Sequence, residues 1–194
     1  MSNYIRFVGV DVETTGLHAE KDDRITEIAL VVYDYLIDDK EFVHRKTFST
    51  LVNPQRSIPA KIQEITGIDN AMVAKAPTFD IIAPKLKPVF DSADCVIAHN
   101  LEFDAKFLVT EMNRAKQTFN DESEPFCTMQ EGRFASSMGE VPRLQKLCWS
   151  LGVEFDATAA HRADYDTERM MAAFVEGCLQ GWFKPECLKG ELYE

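Results

Sequence analysis

The sequence predicts an α/β domain with a mixed sheet covered by helices, and three observations carry that expectation. Strand-like apolar segments come first, over Tyr4–Val12, Ile25–Ile37 and Phe42–Val52. A short continuous apolar run, Cys95–Ala98, then leads into a helical pattern, as expected of a strand covered on both faces. Helical spacing follows near Pro142–Leu151 and over Ala163–Leu179.

In chain order, Ile5, Phe7, Val8 and Val10 mark the first strand, which ends in a turn at Thr14-Thr15-Gly16. The next two strands are linked by Asp38-Asp39-Lys40, short enough for a hairpin. Pro59–Thr66 reads as a short helix stopped by Gly67, and Thr78–Phe90 as a second one. Pro84 and Pro88 argue for a bend or break there, since each removes a helix hydrogen bond. After Cys95–Ala98 a helix is expected with Asn100 as its cap and with Phe103, Phe107, Leu108 and Met112 facing inward. Asp121–Glu124 reads as an acidic loop and Phe126–Met129 as a last short strand. Trp182 and Phe183, in the tail, are expected to pack back on the domain.

At 194 residues, with 45% apolar and 27% charged residues, the chain suits one soluble domain, 1–194, with a catalytic core at about 4–180 and a short C-terminal tail. No apolar run approaches the roughly 20 residues of a membrane span. The N-terminus lacks the pattern of a secretory signal, so a cytoplasmic location and no membrane partner are expected. Five cysteines without a Cys-x-x-Cys suggest reduced, packed thiols. A formal charge of −11 argues against a broad basic face for duplex DNA. It leaves room for an enzyme that grips a strand end through bound cations.

Asp11-Val12-Glu13-Thr14-Thr15-Gly16 is the strongest chemical signal. Residues two apart on a strand share a face, so Asp11 and Glu13 set two carboxylates side by side. His99-Asn100-x-x-Phe103-Asp104 places Asp104 in the first turn of a helix, where the macrodipole favours negative charge. His161-Arg162-Ala163-Asp164-Tyr165-Asp166 adds a further acid and a histidine five residues before it, and His161 must precede the helix if both are to meet one substrate. Taken singly, these are also the patterns of a solvated strand end, a helix start and a surface histidine. Together, they place four carboxylates where separate strand ends and helix starts would converge on one sheet edge. Such a cluster repels itself unless divalent metal is bound, and hard oxygen ligands favour Mg²⁺ or Mn²⁺. Two such ions about 4 Å apart can activate water and stabilise the leaving oxygen of a phosphodiester.

With these motifs in place, the sequence resembles the His-type (DEDDh) branch of the DEDD 3′→5′ exonucleases, whose DnaQ-like members include polymerase III epsilon subunits, from about Val8 to Val175. The resemblance implies a ribonuclease-H-like fold. It also implies that Asp11 bridges two metal ions, that Glu13 and Asp166 hold the ion that activates water, that Asp104 serves the other, and that His161 is the general base. Thr14 and Leu17 would hold the terminal nucleotide, with Ile65, Thr66 and Phe103 lining the base pocket and Asn100 also in the substrate-binding set. Arg162 stands where the Tyr-type branch has its tyrosine, which supports the His-type assignment. The expected substrate is a single-stranded 3′ end, DNA favoured over RNA, with a polymerase as a possible partner chain. The competing readings are an exoribonuclease and a non-catalytic binding or assembly module.

Overall fold

The computed structural model describes residues 3–119 and 122–193. β1 (Tyr4–Thr14), β2 (Ile25–Leu36) and β3 (Glu41–Leu51) pair antiparallel, while β4 (Cys95–Ala98) and β5 (Glu124–Cys127) extend the other side of β1 in parallel. The resulting order is β3-β2-β1-β4-β5, which puts β1 at the centre. The helices are α1 (Ala60–Thr66), α2 (Asn70–Val73), α3 (Phe79–Asp91), α4 (Leu101–Arg114), α5 (Thr128–Glu131), α6 (Leu144–Ser150) and α7 (Ala163–Leu179). None is long and apolar enough to cross a membrane.

Alternation along β1 sorts the two faces of the sheet. Val8, Val10 and Val12 meet Phe79, Leu86 and Phe107 of α3 and α4. Phe7, on the opposite face, packs with Phe174 of α7, whose centroid is 5.2 Å away. Gly9 and the carboxylates Asp11 and Glu13 follow at the same parity, so they also face α7. A Cβ at Gly9 would lie 2.4 Å from Cγ and Sδ of Met171. The missing side chain therefore lets α7 sit close against β1 beside the acids.

α3 runs unbroken through Pro84 and Pro88, contrary to the expected bend. Both prolines are exposed, while Phe79, Ile82, Ala83, Leu86 and Phe90 form the buried stripe. The carbonyls that lose their partners therefore face water, and burial of the other side holds the helix together. The last strand ends at Cys127, not Met129, because its partner β4 ends at Ala98, which pairs with Cys127; the chain then turns into α5. Glu124, expected in a loop, opens β5, while Asp121 lies outside the described residues. α6 starts at Leu144, with Pro142 and Arg143 still ahead of it. Phe183 is fully buried against Phe126 and Phe174, and Trp182 stacks on Phe134 while staying half exposed.

Alanine at Gly9 tests the close approach of α7. Glycine-to-alanine changes at unstrained sites stabilise by about 0.4–1 kcal/mol. Overpacking against Met171 should instead destabilise the protein by about 1–3 kcal/mol in urea denaturation. A stabilised Gly9→Ala protein would contradict the packing described.

Candidate active site

The turn that ends β1 is held in place by Asp23. Its carboxylate accepts from the Thr15 hydroxyl at 3.1 Å and from the His18 amide at 3.0 Å, and a Cβ on Gly16 would lie 2.3 Å from it. Thr15 and Gly16 thus fit one tight turn, which fixes the carboxyl end of β1 where Asp11 and Glu13 project.

Asp104 comes from the first turn of α4 and accepts the Val12 amide at 3.1 Å, which ties it to the strand between the two β1 acids. Asp166 comes from the first turn of α7, and its Oδ2 accepts the His161 amide at 2.9 Å. His161 lies in the loop before α7 with a left-handed backbone, φ 65°. One cavity of about 420 Å³ is lined by Asp11, Glu13, Asp104, Asp166 and His161, with Asn100 and Phe103 also in its wall. The lining does not include Thr14, Leu17, Ile65 or Thr66. Leu17 and Ile65 are exposed apolar side chains, whereas Thr66 is buried with its hydroxyl donating to the Ile62 carbonyl at 3.0 Å.

Asn100 does not cap α4 with its side chain. Its φ of 90° is left-handed, whereas a side-chain cap needs an extended backbone to reach the first free amides. Asparagine tolerates that conformation better than most residues, which accounts for its presence at the turn.

Sequence reasoning missed two positioning residues. Glu27 is a buried acid in the largely apolar strand β2 and pairs in register with Glu13. It accepts from Arg162 at 2.7 Å and 3.2 Å and from the Ala163 amide at 3.0 Å, so it anchors the N-terminus of α7. Its signal in the sequence was a charge in an apolar strand. His99, at the end of β4, bonds the Thr128 hydroxyl at 3.0 Å and the Pro142 carbonyl at 3.1 Å. A carbonyl can only accept, so Nε2 carries the hydrogen. Burial pushes the His99 ring down to about 4, leaving it neutral at pH 7, against the opposing pull of the Pro142 carbonyl. His99 thereby secures the cavity wall at Pro142.

Burial pushes the Asp11 carboxyl up to about 8, and Asp166 and Glu27 add like charge. Burial, followed by Asp11, Asp166 and Glu27, pushes Glu13 up to about 9. Asp104 and Asp166 are also raised, first by burial, while amide hydrogen bonds from Val12 and His161 oppose the rise. Divalent metal fits this set. Oδ1 of Asp166 is buried without a hydrogen-bond partner, and one ligand atom each from Glu13, His161 and Asp166 lie within 4.8 Å of one another.

A mixed sheet whose central strand ends in paired carboxylates, joined by acids from two helix starts and a histidine, defines a ribonuclease-H-like nuclease. The exonuclease family model RNase_T matches residues 8–174, and the chain belongs to this family as a 3′→5′ exonuclease of the DnaQ-like, DEDDh type. The 3′-5′ exonuclease DinG of Bacillus subtilis is 36% identical over 174 residues, covering 90% of this chain and 18% of DinG. The chain thus spans less than a fifth of that relative. The DNA polymerase III subunit epsilon of Treponema pallidum is 34% identical, covering 89% of this chain and 76% of the subunit. Among solved structures, the nuclease domain of 3′hExo, a DEDDh member bound to rAMP, shares the fold with a TM-score of 0.70 at 18% identity, covering 93% of this chain and 94% of that one. Exonucleases of this type depend on divalent metal.

The raised carboxyls predict how metal-free stability varies with pH. Asp11 and Glu13 hold protons in the folded chain well above their ordinary 3.8 and 4.5, so the folded state binds more protons than the unfolded state. Stability should therefore be greatest below pH 4 with respect to these groups and fall as pH rises through about 8 and 9. Thermal melts in EDTA should show the fall between pH 6 and 9. The gain from Mg²⁺ or Mn²⁺ should grow over the same range as metal displaces protons. Asp11→Asn should flatten the EDTA profile and reduce the metal gain; an unchanged profile in this variant would contradict the crowding argument.

Proposed function

We propose that the chain removes nucleoside monophosphates from the 3′ end of single-stranded or frayed DNA, with Asp11, Glu13, Asp104 and Asp166 holding two divalent cations and His161 acting as general base. The observation that carries this reading is the convergence of all five side chains on one cavity at the end of β1. Oxygen donors suit Mg²⁺ or Mn²⁺ better than softer metals. When bound, such ions supply an activated water and charge neutralisation at the departing oxygen.

The chain's own residues account for the remaining work. Asp104 and Asp166 are oriented by main-chain amides of Val12 and His161, which keeps their carboxylates in place before substrate arrives. Glu27 and Arg162 fix the start of α7, so His161 stands on a supported loop while its ring remains open to solvent and can take a proton from attacking water. Phe103 and Asn100 in the cavity wall, with the exposed Leu17 and Ile65 and the buried Thr14 and Thr66 outside the lining, form the nucleotide-binding set of this reading. A DNA substrate and a polymerase partner are supported by the epsilon relative, by name a subunit of DNA polymerase III. RNA is the second reading, supported by the rAMP bound to the 3′hExo domain of the same fold.

End-labelled DNA and RNA oligonucleotides of matched sequence test the proposal. Mononucleotides should leave from the 3′ end, faster from DNA, and chelation should stop the reaction. Release from the 5′ end, or hydrolysis surviving exhaustive chelation, would refute it; faster RNA hydrolysis would move the chain to the second reading.

His161→Ala separates base from ligand. Removal of a general base should slow single-turnover hydrolysis by about 10²- to 10⁴-fold while calorimetric Mn²⁺ affinity stays close to wild type. The closeness of His161 to Glu13 and Asp166 makes the affinity arm decisive. Lost Mn²⁺ binding would make His161 a ligand, and an unchanged rate would remove it from the mechanism.

A further inference from the structure

The segment Val141–Leu144, which carries Arg143, forms part of the wall of the cavity that the carboxylates line. Among the described residues lining the cavity, Arg143 is the only one with a permanent positive charge. The chain has nine arginines, and eight are already engaged. Arg6 and Arg45 pair with Asp34, Arg24 and Arg114 with Glu111, Arg56 with Asp23, and Arg162 with Glu27. Arg133 bonds Gln130 and the Gly139 carbonyl, and Arg169 lies over the Tyr165 ring. Among the described arginines, Arg143 alone has no ion pair, side-chain hydrogen bond or ring contact, although it borders a cavity rich in carboxylates.

Its backbone is nevertheless fixed. The preceding Pro142 carbonyl accepts from half-buried, neutral His99, and the Arg143 carbonyl accepts the Leu147 amide of α6 at 3.1 Å. Arg143 is solvent-exposed, so an anchored backbone presents a free guanidinium at the mouth of the cavity that the acids line. A strand whose 3′ end reaches those acids must leave through the same mouth, and a guanidinium is matched to phosphate oxygens.

We propose that Arg143 is a substrate-positioning residue that binds the backbone phosphate immediately 5′ of the scissile one. This rests on the exonuclease reading and adds a phosphate subsite to it. The subsite grips a polynucleotide through a group that takes no part in bond cleavage.

Two substrates test the assignment: a single-stranded DNA oligonucleotide and the p-nitrophenyl ester of thymidine 5′-monophosphate. The ester has the phosphate to be cleaved but none 5′ of it. Arg143→Ala and Arg143→Gln should lower kcat/KM on the oligonucleotide by about 10- to 100-fold, mainly through KM, as expected for loss of a charged hydrogen bond. The loss on the ester should be at least tenfold smaller. The salt dependence of log kcat/KM on the oligonucleotide should become shallower by about 0.7, the value for one phosphate contact on a single strand, and Arg143→Lys should restore most of that slope. Equal losses on both substrates, or an unchanged salt slope, would overturn the role of Arg143 while leaving the exonuclease reading standing. A wild-type protein that hydrolyses neither substrate in Mg²⁺ or Mn²⁺ would overturn the exonuclease reading and the phosphate subsite with it.

Discussion

Carboxylates brought together away from water repel one another, and the end of β1 concentrates that repulsion. Asp11 and Glu13 share the face that meets α7, Asp166 enters from the start of that helix, and Asp104 reaches in from the start of α4. Burial and mutual charge raise all four above ordinary carboxyl values. A purely structural cluster of this kind would work against folding. Its persistence makes sense if cations are part of the working protein, as they are in exonucleases of this type.

Much of the surrounding structure serves to hold these acids in place despite their repulsion. Helix starts offer free amides and the positive end of the dipole, and both Asp104 and Asp166 occupy such positions. Gly9 lets α7 approach β1 closely, and Glu27 fastens the first amide of α7 while neutralising Arg162. Buried Glu27 thus has an arginine, whereas the four cavity acids have none in ion-pair contact. That difference separates an acid that builds the site from acids suited to metal.

Polar anchoring of a different kind shapes the wall at Pro142. His99 is uncharged at neutral pH, so it can join β4, Thr128 and the Pro142 carbonyl without adding charge to the cavity. A site that gathers acids and carries one free arginine in its wall is consistent with a chain of net charge −11 that engages a strand end locally.

Strand and helix periodicity determined the sheet, its long antiparallel strands and the covered strand β4, because alternation and helical spacing are written in consecutive residues. The motifs likewise marked Asp11, Glu13, Asp104, Asp166 and His161, and the placement of His161 ahead of its helix followed from the helical repeat. Other features depended on partners distant in the chain. Pro84 and Pro88 remain helical because the opposite face of α3 is buried, and β5 stops where β4 offers no further partner. Asn100 serves the turn through its backbone conformation, which residue type alone did not separate from capping. Glu27 acquires its role from Arg162, 135 residues later, and His99 from Pro142, 43 residues later. The sequence by itself marked the residues of the candidate site. Only the tertiary structure decided which charges are neutralised and which remain free, because that depends on distances between side chains that local pattern does not encode.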